Sequence, residues 1–116
     1  MHKWYKSIGY ATYSGFYVED VSHNFTLRFD NFTGGNAGDS LSLHRGFQFS
    51  TKDRDNDHNN CAKDYHGAWW YRKCYVSNLN GDYNGNGDKQ DGVFWFSFGG
   101  SNFDTLRFTE MKIRPM

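Results

Sequence analysis

With 116 residues, 13 Lys and Arg against 13 Asp and Glu, and no formal net charge, the chain has room for one domain. It offers no overall field that would draw in nucleic acid or an anionic bilayer. Aromatic side chains make up 20% of it, so the core must be built from rings more than from branched aliphatics. No apolar run is long enough to span a bilayer, and the opening MHKWYKSIGY lacks the apolar middle of a signal peptide.

In chain order, the first clear element is FTLRFDNF, Phe25 to Phe32. It sets Phe25, Leu27 and Phe29 on one face against Thr26, Arg28 and Asp30 on the other, the alternation of a half-buried strand. Two sequons, Asn24-Phe25-Thr26 and Asn31-Phe32-Thr33, lean weakly toward export. GDSLSLHRG, Gly38 to Gly46, predicts a turn or two of helix, with Asp39 as N-cap and Gly46 past the C-terminus. His44 follows the apolar Leu43 and is expected to pack or cap rather than catalyse. NLNGDYNGNGDKQDG, Asn78 to Gly92, reads as a long polar surface loop. GVFWFSF, Gly92 to Phe98, is apolar on both faces and predicts a central, covered strand. In LRFTEMKI the apolar positions change phase, from Leu106 and Phe108 to Met111 and Ile113, which a bulge near Thr109 and Glu110 would reconcile. There is no internal repeat, linker or second domain.

The chemistry concentrates in KDRDNDHNNCAKDYHGAWWYRKC, Lys52 to Cys74. Asp53, Asp55 and Asp57 alternate, as carboxylates do when several point at one hard cation, and calcium takes such oxygen ligands. An EF-hand does not fit, because its sixth position would be His58 and its twelfth Asp64. The competing reading is a solvated loop neutralised by Lys52, Arg54 and Lys63. Asp82, Asn84, Asn86 and Gly87 match the first half of an EF-hand loop better, yet the twelfth position is Val93, which cannot coordinate. Cys61 and Cys74 are the only two cysteines, too few for a structural zinc site. They are either a disulfide, which would stabilise by about 3 kcal/mol through the unfolded chain, or two buried thiols. The five histidines build no HExxH motif, and no GxSxG or Walker motif occurs. A nucleophile made of Cys61 with His58 or His66 would need a free thiol. The aromatic residues around the loop suit recognition instead, since rigid rings bind sugar faces and peptide groups.

AGDSLSLHRGFQFSTKDRDND, then NCA, YHGAWWY, the second cysteine, SNLNG and EMKIRP resemble the C-terminal half of a fibrinogen-related domain, the module of fibrinogen chains, ficolins, tachylectins, tenascins and angiopoietins. YATYSGFYVEDVSHNFTLRF resembles the strand pair that precedes those motifs, so the likeness runs from Tyr10 to Met116. It implies an α+β fold, with a twisted antiparallel sheet, short helices and long calcium-stabilised loops. Residues 1–116 would form a single fibrinogen-related domain lacking the usual N-terminal subdomain. Covering the sheet edge left exposed is a task that homo-oligomerisation could perform.

The resemblance further implies a Cys61–Cys74 disulfide, hence a secreted protein, and a cis peptide at Lys73-Cys74. It implies Ca2+ held by the Asp55 and Asp57 side chains and by backbone carbonyls, Asn59 among them, in a loop shorter than in many relatives. Asp53 would shape that loop without touching the ion, and Trp69 and Trp70 would belong to the core. The implied function is lectin-like recognition of glycans, acetylated or acidic groups, as in the pattern recognition of innate immunity, with no enzymatic activity. The ligand-binding residues would be Tyr65, Lys73, Cys74, Tyr75, Lys89 and Gln90. Tyr75 stands where the family usually has histidine, and Lys89 and Gln90 stand where it usually has a Tyr-Ala pair. A lysine in place of a ring favours anionic ligands such as sialic acid or sulfated sugars. The alternative is a protein-interaction domain that captures a peptide N-terminus or a receptor, with Asp64 and Asp91 as candidate carboxylates. Neither nucleic acid nor membrane insertion is expected.

Overall fold

The computed structural model describes residues 1–3, 8–83, 92–99 and 106–114. Among the described residues the paired strands are all antiparallel, and one isolated bridge, Asp82 to Gly92, is parallel. β1 (His2–Lys3) pairs with β8 (Leu106–Phe108), and β2 (Thr12–Ser14) with β5 (Asn31–Gly34). β3 (Tyr17–Val18) pairs with β4 (Leu27–Arg28), and β6 (Ser77–Asn78) with β7 (Phe94–Trp95). Two short helices, α1 (Cys61–Tyr65) and α2 (Phe96–Gly99), and two 3-10 turns at Val21–His23 and Ser42–His44 complete the described elements. The architecture is α+β as expected, with the pairing spread over four two-stranded ribbons among the described residues. Irregular register and turn glycines keep the ribbons short. Gly35, at φ +123°, is one such point, where a Cβ would collide with the Tyr10 carbonyl.

The core is aromatic, as the composition requires. Trp69, Tyr71, Phe94, Leu27 and Leu106 are all sealed from solvent, and Trp69 meets Trp70 edge-on at 4.9 Å. Each core indole N–H finds an acceptor, as buried donors must. Trp69 donates to Ser77 Oγ at 3.2 Å, Trp70 to the Phe25 carbonyl at 2.9 Å, and Trp95 to the Gly38 carbonyl at 3.1 Å.

Three expected strands are modified. In Phe25 to Phe32, Leu27 and Phe29 are buried as the alternation requires, but Phe25 turns out to solvent and Thr26 turns in. Asn24 and Phe25 both adopt left-handed backbone, at φ 51° and 56°, which ends the extended run and breaks its phase. The chain re-enters a strand at Asn31, so one predicted strand becomes β4 and β5. In Gly92 to Phe98 the covered strand stops at Trp95, and α2 begins at Phe96 on the surface. After Phe108 the backbone leaves the β1 ribbon rather than bulging near Thr109 and Glu110. The phase change at Met111 and Ile113 therefore marks the end of a strand. Of the Asn78 to Gly92 loop, residues 84–91 lie outside the described ones, and Asn84, Asn86 and Gly87 with them.

The Gly38 to Gly46 stretch behaves as predicted in outline. The N-cap of the 3-10 turn is Leu41, which makes no side-chain cap bond, rather than the expected Asp39. Asp39 Oδ1 instead braces the approach to the turn, accepting from the N–H groups of Leu41 and Ser42 at 3.1 and 3.0 Å. Burial alone would raise the Asp39 carboxyl, but the hydrogen bonds from Ser42, Leu41 and Tyr13 hold it below the usual carboxylate range. Gly46 follows at φ +86°.

His44 is fully buried. Its Nδ1 lies 2.8 Å from the Trp70 carbonyl, and its Nε2 lies 3.2 Å from the Val76 N–H and 3.4 Å from that of Ser77. These partners assign the neutral Nδ1–H tautomer, donating to Trp70 and accepting from Val76 and Ser77. Burial pushes the imidazole down to about 4, against the upward pull of the Trp70 carbonyl.

His44 takes up a proton more readily in the unfolded chain than in the native one. Its contribution to stability is complete above its ordinary value of 6.5 and is lost as pH falls from there toward about 4. We expect urea denaturation to lose about 2 kcal/mol between pH 7 and pH 5, with His44→Asn removing that slope while lowering stability at pH 7. An unchanged slope in the variant would refute the assignment.

Candidate functional site

The acidic loop is anchored to the core where it begins. Ser50 and Trp69 exchange backbone hydrogen bonds of 2.9 and 3.2 Å, and Thr51 and Arg54 close a tight turn through two bonds of 3.1 Å. Asp53 accepts from Thr51 Oγ1 at 2.6 Å, and that bond lowers its carboxyl. Asp53 thus shapes the turn. Asn56 points inward, donating through Nδ2 to the Phe49 carbonyl at 2.7 Å and through its N–H to Ser50 Oγ at 3.0 Å. The carboxylates on either side of Asn56 are thereby set on a fixed backbone.

Asp55 Oδ1 accepts from the His58 N–H at 3.0 Å, and its Oδ2 from the Asn60 N–H at 3.3 Å. Asp57 Oδ1 accepts from the Asn59 N–H at 2.7 Å and from the Cys61 N–H at 3.5 Å. Partial desolvation raises the Asp55 carboxyl, but hydrogen bonding with the Asp57 carboxyl and with the Asn60 and His58 N–H groups outweighs it and holds Asp55 below its ordinary range. Asp57 Oδ2 is buried and has no hydrogen-bond partner among the described residues. Two carboxylates this close repel unless a proton or a cation lies between them. An orphaned buried carboxylate oxygen of this kind calls for a positive partner.

Asn59 stands at the same place. Its Nδ2 donates to the Asp57 and Arg72 carbonyls at 3.0 and 3.3 Å, while its own carbonyl accepts no hydrogen bond among the described residues. Asp55, Asp57 and Asn59 therefore offer two carboxylates and an uncommitted carbonyl, all oxygen donors suited to calcium. Among the described residues no group of three or more His, Cys, Asp or Glu side chains converges on a point. The loop reaches this arrangement through left-handed backbone at His58 (φ 63°) and Asn60 (φ 58°), a conformation that Asn and His tolerate better than most residues.

From Asn60 the chain enters α1, and its first residue, Cys61, is disulfide-bonded to Cys74 with a Cα–Cα distance of 5.4 Å. The bond removes the thiol that a Cys61 nucleophile with His58 or His66 would need. The Lys73-Cys74 peptide is cis. Beyond it the Tyr75 ring meets Tyr65 edge-on at 5.1 Å and Phe94 at 5.6 Å, and Phe94 meets Phe96 at 6.2 Å. The result is an aromatic row running from α1 to α2 and ending on a solvent-exposed ring. The structure thus brings Tyr65, Cys74 and Tyr75 together, with Lys73 exposed beside them. Lys89, Gln90 and Asp91 lie outside the described residues. An open groove of about 1190 Å³, lined by Tyr10, Tyr13, Phe16, Phe108 and Ile113 among others, lies elsewhere and includes neither Tyr65 nor Tyr75.

Two supporting residues, Asn78 and Gly67, escape a reading by motif, whereas His44 packs in the core as expected of it. Asn78 accepts from the buried Tyr71 hydroxyl at 2.7 Å and donates to the Tyr65 carbonyl at 3.1 Å, and burial raises the Tyr71 hydroxyl well above its ordinary value. Gly67 packs so tightly on this pair that a Cβ would overlap both Asn78 Oδ1 and the Tyr71 hydroxyl. The signal in the sequence was present, in HGAWWY and SNLNG, but the contact between them follows no helix or strand period. Gly67→Ala is expected to lower the unfolding free energy by about 1–3 kcal/mol through overpacking, read by urea denaturation. Wild-type stability in the variant would show that the Asn78–Tyr71 pair is not held at van der Waals distance.

Comparison with known proteins adds to this geometry. The family described as the C-terminal globular domain of the fibrinogen beta and gamma chains matches residues 1–116. Fibrinogen C domain-containing protein 1 of Xenopus tropicalis is 50% identical in an alignment that covers 91% of this chain and 25% of that protein. The fibrinogen-like globe domain of human ANGPTL6 superposes with a TM-score of 0.84 at 42% identity, over 91% of this chain and 50% of that one. Lamprey fibrin D-dimer, solved with the peptide Gly-His-Arg-Pro-amide, superposes with a TM-score of 0.80 at 25% identity, over 91% of this chain and 40% of that one. The chain therefore spans about a quarter of the length of the curated relative and half of the solved globe domain.

Proposed function

Because the chain belongs to the fibrinogen C-terminal globular domain family, we propose that it is a calcium-dependent extracellular recognition module that binds glycans or acetylated and acidic groups and catalyses nothing. The observation that carries this reading is the buried, unpartnered Asp57 Oδ2 beside Asp55. Asp55 and Asp57 would hold the ion through their side chains and Asn59 through its carbonyl. The ion would neutralise the two carboxylates. The loop then leads directly into α1 and its Tyr65, so loop order and ligand wall are connected through a few residues of backbone. The Cys61–Cys74 disulfide, of a kind stable in oxidising compartments, supports the extracellular assignment.

At the pocket, Tyr65 and Tyr75 supply apolar ring surface, and Lys73 supplies a cation at the rim. In the sequence, by resemblance to ficolin-like members, Lys89 and Gln90 stand where those members have a Tyr-Ala pair that encloses an acetyl group. That loss of enclosure costs a small acetyl group on the order of 1–2 kcal/mol of burial. The pocket should accordingly favour anionic groups over neutral acetylated ones. A second reading draws on the lamprey D-dimer and its bound peptide. In it the same surface captures a peptide N-terminus, using the exposed Asp64 as its carboxylate. A glycan array run with and without calcium separates the two, since only the first reading yields calcium-dependent spots.

Calcium at a hundredfold excess over its Kd should raise the melting temperature by roughly 10 °C. Asp55→Asn and Asp57→Asn should each abolish that gain, while in EDTA the Asp57→Asn protein melts no lower than wild type because a repulsion has been removed. Calorimetry that detects no calcium binding at millimolar concentration would sink the metal assignment.

Binding to simple N-acetylated sugars is expected to be weak or absent, and binding to sialylated or sulfated glycans stronger and weakened by salt. Strong retention on an N-acetylglucosamine resin, undiminished in Tyr65→Ala, is the outcome that contradicts this pocket.

A further inference from the structure

We propose that Asn31 is the N-glycan acceptor of this protein and that the second sequon, at Asn24, is silent in the folded chain. The proposal rests on the extracellular reading above, because the modifying enzyme works only in the secretory pathway. In the reaction, Asn31 Nδ2 attacks the anomeric carbon of a lipid-diphosphate-linked oligosaccharide. An N–C bond forms, the C–O bond to the diphosphate breaks, the amide loses one proton, and the lipid diphosphate leaves with the bonding electrons.

Both triplets satisfy the sequence rule, Asn-x-Thr with x other than proline. An enzyme that meets the chain before folding reads them alike, so the fold decides which modified chain reaches the native state. Asn31-Phe32-Thr33 lies in the extended β5, where side chains alternate between faces. Asn31 and Thr33 are exposed on one face, and Phe32 on the other packs edge-on against Tyr13 at 5.5 Å. The Asn31 side chain makes no hydrogen bond among the described residues, so a glycan there displaces nothing. Among those residues β5 pairs only with β2, and a bulky polar group beside an unpaired strand edge also guards it against pairing with other chains.

Asn24-Phe25-Thr26 is folded differently. Asn24 caps a 3-10 turn in left-handed backbone and is half-buried, with its carbonyl accepting from the Phe49 N–H at 3.0 Å. Phe25 is left-handed too, and its carbonyl receives the Trp70 indole N–H. Thr26 is 5% exposed and its hydroxyl donates to the His23 carbonyl at 2.7 Å. A glycan on Asn24 would crowd a turn whose backbone holds a core tryptophan, and chains carrying it should fail to fold and be retained.

The test is to express the full chain behind a secretion signal in mammalian cells and to weigh the secreted protein before and after PNGase F, mapping the site by the Asn-to-Asp mass change. One glycan at Asn31 is expected, lost in Asn31→Gln and in Thr33→Ala and kept in Asn24→Gln. A secreted protein with Cys61–Cys74 intact and no PNGase-sensitive mass overturns the acceptor while leaving the extracellular reading standing. A glycan found on Asn24, in wild type or in Asn31→Gln, overturns the argument that the fold selects between the two sequons.

Discussion

One neutral imidazole inside an aromatic core is the constraint on which the rest depends. His44 donates to the Trp70 carbonyl and accepts from the Val76 and Ser77 N–H groups, closing both ends of the segment that carries the second cysteine and Tyr75. In so dry a place a lost hydrogen bond costs the full desolvation of its partner, on the order of 1–3 kcal/mol. The ring therefore specifies where Trp70 leaves the core and where β6 begins. Asn78, one residue past Ser77, repeats the device by tying Tyr71 to the Tyr65 carbonyl. Two buried polar side chains thus brace the backbone on either side of the Tyr65–Tyr75 ring contact.

The acidic loop uses the opposite physics. Its carboxylates lie near the surface, and backbone N–H groups from residues 58 to 61 bind three of their four oxygens. Those bonds fix the carboxylates in position, and at Asp55 they favour the charged form. The fourth oxygen, Asp57 Oδ2, is left buried without a partner. Left-handed residues at 58, 60 and 66 bracket the loop and α1, so local backbone cost is concentrated around the candidate site, as is common where geometry serves binding. The disulfide joins the end of this loop to the segment braced by His44. The acidic loop, α1 and the Tyr65–Tyr75 ring pair are therefore connected through the Cys61–Cys74 bond and the segment braced by His44.

What the sequence by itself determined was local or carried by motif. Alternation placed Leu27 and Phe29 inside, Asp39 and Gly46 bracketed a helical turn, and the aromatic content announced a core of rings. The DRDND run, the two cysteines and HGAWWY, taken through the family resemblance, located the loop, the disulfide and the cis peptide, because these features depend on residues within one short stretch. The tertiary structure decided what depends on distant partners. Phe25 faces solvent because its carbonyl is claimed by Trp70 and its backbone turns left-handed to deliver it. GVFWFSF leaves the core at Phe96, where the strand gives way to α2 and the side chain becomes exposed. His44, Asn78 and Gly67 acquire their roles only when residues 44, 67, 71 and 76–78 meet, and no periodicity along the chain records a contact made across it.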